Sequence, residues 1–287
     1  MHMLMIVVVI AIAWCVRSLE NIPQTTNHRI CWVSRWQRSL FLFLFPPLLL
    51  FSNAIALLCM GSQDMMGTWH TGKFSYVFAL CYLLTSILFG IYLAYKGWIS
   101  VQSARNNPQI QLADQKIRLL TTGALFAGQI GFWQPELVIS QGLIKSLSAE
   151  QLETVLAHEQ GHHYYRDTFW FFWLGWVRKF TAWLPNTNIL WQELVDLREL
   201  RADAYATSQV DPLLLAESLL LVASNPPVTS DMCCAAVNSY GVQRLEQRIE
   251  ALLSPQETLE TKQKLHYPAW NQFLFALLPL IIVFFHR

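Results

Sequence analysis

Four strongly apolar stretches of this 287-residue chain contain no Asp, Glu, Lys or Arg: 1–16, 40–60, 74–95 and 270–285. In lipid every backbone N–H and C=O must find its partner within the protein, so runs of this kind are expected to be helices. Crossing a bilayer takes roughly 17–25 residues. The second and third runs meet that length outright, whereas the first and fourth need some local thinning of the bilayer. Pro46 and Pro47 fall inside the second run, where the carbonyls they free must be covered by neighbouring helices. Composition points the same way, with 14% charged residues and 54% hydrophobic ones, against about 25% charged in soluble domains. The first run also resembles a signal peptide with Ala11-Ile12-Ala13 as its cleavage pattern. Only His2 precedes it, without a basic region, so an uncleaved span is the expectation.

Loop charges give an expected orientation. Residues 17–39 carry Arg17, Arg29, Arg35 and Arg38 against Glu20, and Lys96 and Arg105 follow the third run, whereas 61–73 carry only Asp64 and Lys73. The positive-inside rule therefore places loop 17–39 and the long segment 96–269 in the cytoplasm. A net charge of +1 recommends no nucleic-acid partner. None of the cysteines shows CxxC spacing, which argues against a thiolate metal site or a redox pair. Soluble-domain texture is confined to the segment between the third and fourth runs. Over 109–122 and 125–140, short alternating apolar runs broken by Gly128, Gly131 and Pro135 read as strands and turns. Residues 168–184 are intensely apolar but contain Arg178 and Lys179. They are expected to lie in the membrane interface, re-enter the bilayer or roof a site, rather than cross.

Chemistry enters at His158-Glu159-Gln160-Gly161-His162, an HExxH pentad in a run expected to be one helix from Gln151 to Tyr165, opened by a capping-box pattern at Ser148-Ala149-Glu150-Gln151. The helical period sets His158 and His162 one turn apart on one face, so both imidazoles can reach one metal ion. Glu159 lies about 100° round from His158, where it can act as general base on a water in that site. A third ligand is offered by Glu199-Leu200-Arg201-Ala202-Asp203. If this stretch is helical, Glu199 can coordinate while Asp203, on the same face, hydrogen-bonds the outer nitrogen of a ligand imidazole. Glu193 and Asp196 compete for these roles with poorer spacing. Two histidines and one glutamate leave the fourth position open, as catalytic zinc requires. His163, beside the pair, points elsewhere on the helix and reads as a surface residue.

At these residues the chain resembles membrane-embedded gluzincin metallopeptidases. The run LSAEQLETVLAHEQGHHYYRD (147–167) followed by ELRADAYA (199–206) is similar to the CAAX-prenyl endopeptidase and heat-shock membrane protease type, and to the BlaR-type beta-lactam sensor peptidases. Arg166-Asp167, the WLPNTNILW stretch (183–191) and the order of spans favour the BlaR type. The resemblance implies that His158, His162 and Glu199 bind one zinc ion, that Glu159 is the catalytic acid/base and that Asp203 orients a ligand histidine. It also implies that Arg248, in Arg248-Ile249-Glu250-Ala251-Leu252, steadies the site or the oxyanion. Ala124, Leu125, Phe126, Ala127 and Gly128 would form the edge strand that receives an extended substrate. Two departures stand out. BlaR-type sensors carry an extracellular ligand domain after the last span, whereas this chain stops at Arg287. The histidine that precedes the late arginine in the heat-shock group is missing from Asn238–Gln247, which leaves Tyr240, Arg244 and Arg248 as candidate transition-state stabilisers.

The expected fold is a mainly α integral membrane protein with four transmembrane helices and a small α/β zincin-like metallopeptidase unit between spans three and four. Its parts are an N-terminal membrane region (1–98), a cytoplasmic peptidase domain (99–269) and a C-terminal transmembrane helix (270–287). The expected function is that of a membrane-bound zinc endopeptidase, in a bacterial inner membrane, cutting protein substrates at the cytoplasmic face in regulatory or quality-control proteolysis. Expected partners are a protein or peptide substrate, membrane lipid, and a separate sensor or repressor protein. The contrasting reading is a signalling or scaffold membrane protein that keeps the fold and hardly turns over.

Overall fold

The computed structural model describes residues 2–18, 32–60, 71–112, 115–224, 242–253 and 271–285. The chain divides into two compact units. One comprises Met1–Ile91, Trp176–Leu194 and Leu265–Arg287, the other Tyr92–Gly175 and Val195–Lys264.

In the first unit, helix α1 (His2–Ser18) packs on helix α2 (Trp32–Met60), with Val9 and Ala13 against Leu49 and Leu50 and Ile6 against Ala54 and Leu57. Pro46 and Pro47 lie within α2. Pro47 has no N–H to offer the Phe43 carbonyl one turn back, and Arg17 of α1 takes its place, donating from Nη2 at 2.9 Å. The same guanidinium donates to Thr187 Oγ1 at 3.0 Å and lies over the Phe43 ring. Arg17 is therefore a buried helix residue and not the loop charge expected from the sequence. Arg35 also lies in α2, where it pairs with Glu193 at 2.8 Å, and Arg29 lies outside the described residues. Glu193, the competitor for the third ligand position, is thus engaged elsewhere.

Helix α3 (Thr71–Arg105) leaves Phe74, Val77, Leu84, Leu88 and Ile91 exposed. Within α2 and α3, Val33–Met60 and Lys73–Arg105 are long and apolar enough to cross a membrane. The first expected span forms a helix of 17 residues. The fourth is broken into Asn271–Leu274, a 3-10 turn at Phe275–Leu277 and Leu278–Phe285. Pro279 accounts for the break, because it cannot donate to Phe275; the Phe275 carbonyl accepts from Leu278 N–H instead, closing the tighter turn. Four transmembrane helices are thus expected, but two helices among the described residues have the required length and composition.

The second unit is built on a four-stranded sheet of β1 (Gln109–Leu112), β2 (Gln115–Leu120), β3 (Ala127–Ile130) and β4 (Glu136–Ser140), in the order β1-β2-β4-β3. Only β2 and β4 run parallel. Alternation along the strands sends Ile117, Leu137 and Ile139 into a core with Leu143, Val155 and Leu156, while Ile130 and Val138 pack with Ala104 of α3. After the short helix α4 (Gln141–Ser146) come α5 (Ala149–Tyr164), α6 (Asp167–Phe180), α7 (Thr187–Ala206), α8 (Pro212–Ala223) and α9 (Val242–Leu253). The expected capping box opens α5: Ser148 Oγ accepts from Gln151 N at 3.2 Å and Gln151 Oε1 accepts from Ser148 N at 3.1 Å. Such a cap contributes about 1 kcal/mol.

Candidate metal centre

Helix α5 presents His158 and His162 a turn apart, with their Nε2 atoms 3.2 Å from each other. Helix α7 brings Glu199 to the same point, Oε2 lying 3.5 Å from His158 Nε2 and Oε1 3.6 Å from His162 Nε2. Ligand atoms of the three residues all fall within 4.8 Å of one another. Two helices can come this near because the residue between Glu159 and His162 on the inner side is Gly161. A Cβ there would meet the Ala202 backbone of α7 at 3.1 Å and Tyr205 Cβ at 3.3 Å.

The outer nitrogens of both imidazoles face buried carboxylates. His162 Nδ1 is hydrogen-bonded to Asp167 Oδ2 at 2.8 Å. His158 Nδ1 lies 2.8 Å from Asp203 Oδ1, off the ideal hydrogen-bond direction but close enough for the carboxylate to hold a proton there. Each carboxylate is held in turn by an arginine. Arg201 donates to Asp167 and stacks over the Tyr165 ring. Arg248 grips Asp203 with two hydrogen bonds of 2.7 Å and places Nη1 3.4 Å from Glu199 Oε2. Arg198 donates to Glu199 Oε1 at 2.7 Å.

Protons on both Nδ1 atoms leave each Nε2 as a bare acceptor, so two imidazole lone pairs and a carboxylate converge on one place. Such a set requires a cation or a proton between its members. Burial pushes His158 towards the neutral form, but Asp203 and Glu199 outweigh it and hold its pKa up at about 9. Burial raises the Glu199 carboxyl, yet Arg198, His162 and His158 bring it well below the ordinary carboxylate value. Asp203 is likewise lowered against its burial, chiefly by Arg248. The donor set fits zinc in size as well as in charge. Tetrahedral bonds of about 2.0–2.1 Å set neighbouring donor atoms about 3.3 Å apart, close to the 3.2–3.6 Å observed.

The remaining sequence candidates divide. Glu159 is buried beside the histidines, and its backbone carbonyl accepts from Gln129 Nε2 of β3 at 3.4 Å. His163 is exposed on α5, with Gln160 and residues of the sheet around the same cleft. Arg248 reaches the centre as a partner of Asp203 and Glu199. Tyr240 and the side chain of Arg244 lie outside the described residues. The expected substrate edge is displaced: β3 is an outer strand, but it begins at Ala127, so only Ala127 and Gly128 of the five candidates belong to it. Ala124 precedes it, Leu125 is buried in the core, and Phe126 exchanges backbone and side-chain hydrogen bonds with Ser140.

Asp167 and Arg201 were not foreseen. A helix periodicity argument looks to His162 plus three or four, whereas Asp167 follows by five. It reaches His162 because α5 ends at Tyr164 and Arg166 adopts a left-handed φ of 53°, folding the chain back before α6. The signal in the sequence is the Arg166-Asp167 pair itself, which carries the resemblance but not the geometry.

The model of peptidase family M48 matches residues 95–221, which supports a metallopeptidase of that family for this segment. The matched stretch is less than half of the chain but includes α5 and Glu199. No curated protein and no solved structure matches the chain.

Proposed function

We propose that this protein is a membrane-bound, zinc-dependent endopeptidase, most similar in kind to the BlaR-type and heat-shock membrane proteases. The observation that carries the reading is the convergence of His158, His162 and Glu199, with a buried aspartate behind each histidine. His158, His162 and Glu199 would hold the zinc ion. When bound, zinc supplies a Lewis acid that polarises a peptide carbonyl and makes water a better nucleophile at neutral pH.

The chain's own residues do the rest. Asp203 and Asp167 fix the imidazole tautomers, and Arg248 and Arg201 hold those carboxylates in place. Glu159 takes a proton from the attacking water and returns it to the leaving amine. An extended substrate adds along the outer edge of β3, at Ala127–Ile130, by main-chain hydrogen bonding. Arg248 acts on the reaction through Asp203 and Glu199 and not as an oxyanion donor.

The apolar α2 and α3 support attachment to a membrane, and the exposed Trp133, Trp170 and Trp173 around Phe132 and Phe169 are the residue types that settle at a lipid interface. On this reading the site works at the cytoplasmic face of a bacterial inner membrane. Its substrates are proteins presented there, a repressor or a membrane protein under quality control, and a separate sensor would supply any signal.

The test has two parts in detergent-purified full-length protein. Wild type should carry about one zinc ion per chain and His162→Ala should lose it. Glu159→Gln should keep the metal and lose hydrolysis of a peptide that wild type cleaves, by on the order of a hundredfold or more. Unchanged hydrolysis in Glu159→Gln would end the mechanism. A deletion phenotype restored by Glu159→Gln would favour the scaffold.

A further inference from the structure

A cavity of about 260 Å3 lies within the first unit, where α1, α2 and α3 come together. Its wall is mostly apolar, with Ile6 from α1, Leu50 and Leu57 from α2, and the small residues Ala54 and Ala79 leaving room that larger side chains would fill. Phe78 and Trp183 are exposed members of the wall. Phe78 stands one turn from Phe74 on the exposed apolar surface of α3, so the cavity opens beside the surface that a bilayer would cover.

Two polar groups on this wall are orphaned. Asn53 Oδ1 and the Tyr82 hydroxyl oxygen are buried and have no hydrogen-bond partner among the described residues. Asn53 is only 5% exposed, and the Tyr82 ring is set by Phe51 and Phe180, at centroid distances of 5.5 and 6.2 Å. Folded proteins satisfy about nine in ten buried polar groups, so two orphans in one apolar cavity call for a ligand that supplies their partners. At about 1.5 Å per residue, Tyr82 lies about 13 Å along α3 from Lys73, and Asn53 about 10 Å along α2 from Met60. A charged headgroup is costly at such depth, whereas a neutral one is not. We propose that the cavity binds a membrane lipid that carries a neutral hydroxyl on an apolar chain. The O–H donates to Asn53 Oδ1, the same oxygen accepts from the Tyr82 O–H, and the chain takes the apolar wall.

This site is independent of the metal centre and shares with the proposed function only the placement of α2 and α3 in lipid. The full-length protein is reconstituted in phosphatidylcholine vesicles, and flotation reports its insertion. The probe is decan-1-ol with a mid-chain diazirine, photolysed in place, its attachment sites read by mass spectrometry. Competitors are decan-1-ol, its methyl ether, decanoate and decane, compared at equal concentration in the membrane. Labels should fall on the cavity wall, and decan-1-ol should compete about tenfold better than the ether, which cannot donate, or the charged decanoate. Asn53→Leu should abolish the preference for alcohol over ether. Tyr82→Phe should weaken alcohol and ether alike and leave decane unchanged. Both variants remove an orphaned group, so both should melt no lower than wild type in detergent without the ligand. Labels elsewhere, no labelling, an ether or decanoate as good as the alcohol, or a preference that survives Asn53→Leu would overturn the site. Protein that fails to float would overturn the membrane placement and the lipid occupant together.

Discussion

His162 finds its carboxylate by leaving the helix on which it sits. The left-handed Arg166 lets Asp167 turn back under the imidazole, and Arg201 closes the group from α7. Asp203 belongs to the same helical face as Glu199, so simple periodicity anticipated it. Asp167 needed knowledge of a backbone corner that no side-chain pattern encodes. In sequence Arg248 is marked only by the resemblance and Arg201 by no pattern, and tertiary packing is what turns both onto buried aspartates. Asp167→Ala should therefore leave zinc bound but weaken its affinity 10- to 100-fold, measured by chelator competition; an unchanged affinity would reduce Asp167 to a packing role. The pH dependence follows from His158. Its folded pKa of about 9 lies above the ordinary 6.5, so its proton stabilises the metal-free fold fully below about pH 6.5, and this contribution is lost as pH climbs through about 9. Zinc must displace that proton. Apparent affinity should rise by about tenfold per pH unit between pH 7 and 8.5, then level off above about 9. A flat titration would mean a neutral His158 in the metal-free protein.

At the scale of elements, α5 was the most legible piece, because its cap, its period and its ligand spacing all agree within one segment. The fit of α5 against α7 depends on a residue that the HExxH pattern treats as free. Gly161→Ala requires the Ala202 backbone to give by a few tenths of an ångström. This variant should keep its secondary structure by circular dichroism while zinc affinity falls at least tenfold; wild-type affinity would show that α7 yields without moving Glu199. The strands were legible as strands but not in their limits. Ser140 caps α4 and also anchors Phe126, so pairing along the edge starts only at Ala127. In α2 the two prolines foretold a freed carbonyl, and the partner proved to be Arg17, a residue that charge counting had assigned to a loop. Arg17→Leu strands the Phe43 carbonyl and should destabilise the first unit by about 1–3 kcal/mol, read as a lowered melting temperature in detergent. No change would mean that Phe43 has another donor.

Across the whole molecule, composition conveyed the apolar character of the chain more securely than its number of crossings. Helices α2 and α3 have the length and the apolar surface to cross, whereas the C-terminal run is cut by Pro279 and the described part of the N-terminal helix, 17 residues long, stands at the short limit. Orientation by loop charge weakened for a related reason, since Arg17 and Arg35 spend their charge inside a fold that a linear count cannot see. The centre, by contrast, gathers residues that are far apart in the chain. His158 depends on Asp203 and then Arg248, and His162 on Asp167 and then Arg201, so the second series lies entirely between the first two members of the first. A genetic crossover with a diverged relative anywhere between His162 and Arg248 would part at least one member from its mate. The stretch from His158 to Arg248 is accordingly a single heritable block, to be exchanged between proteins entire or not at all.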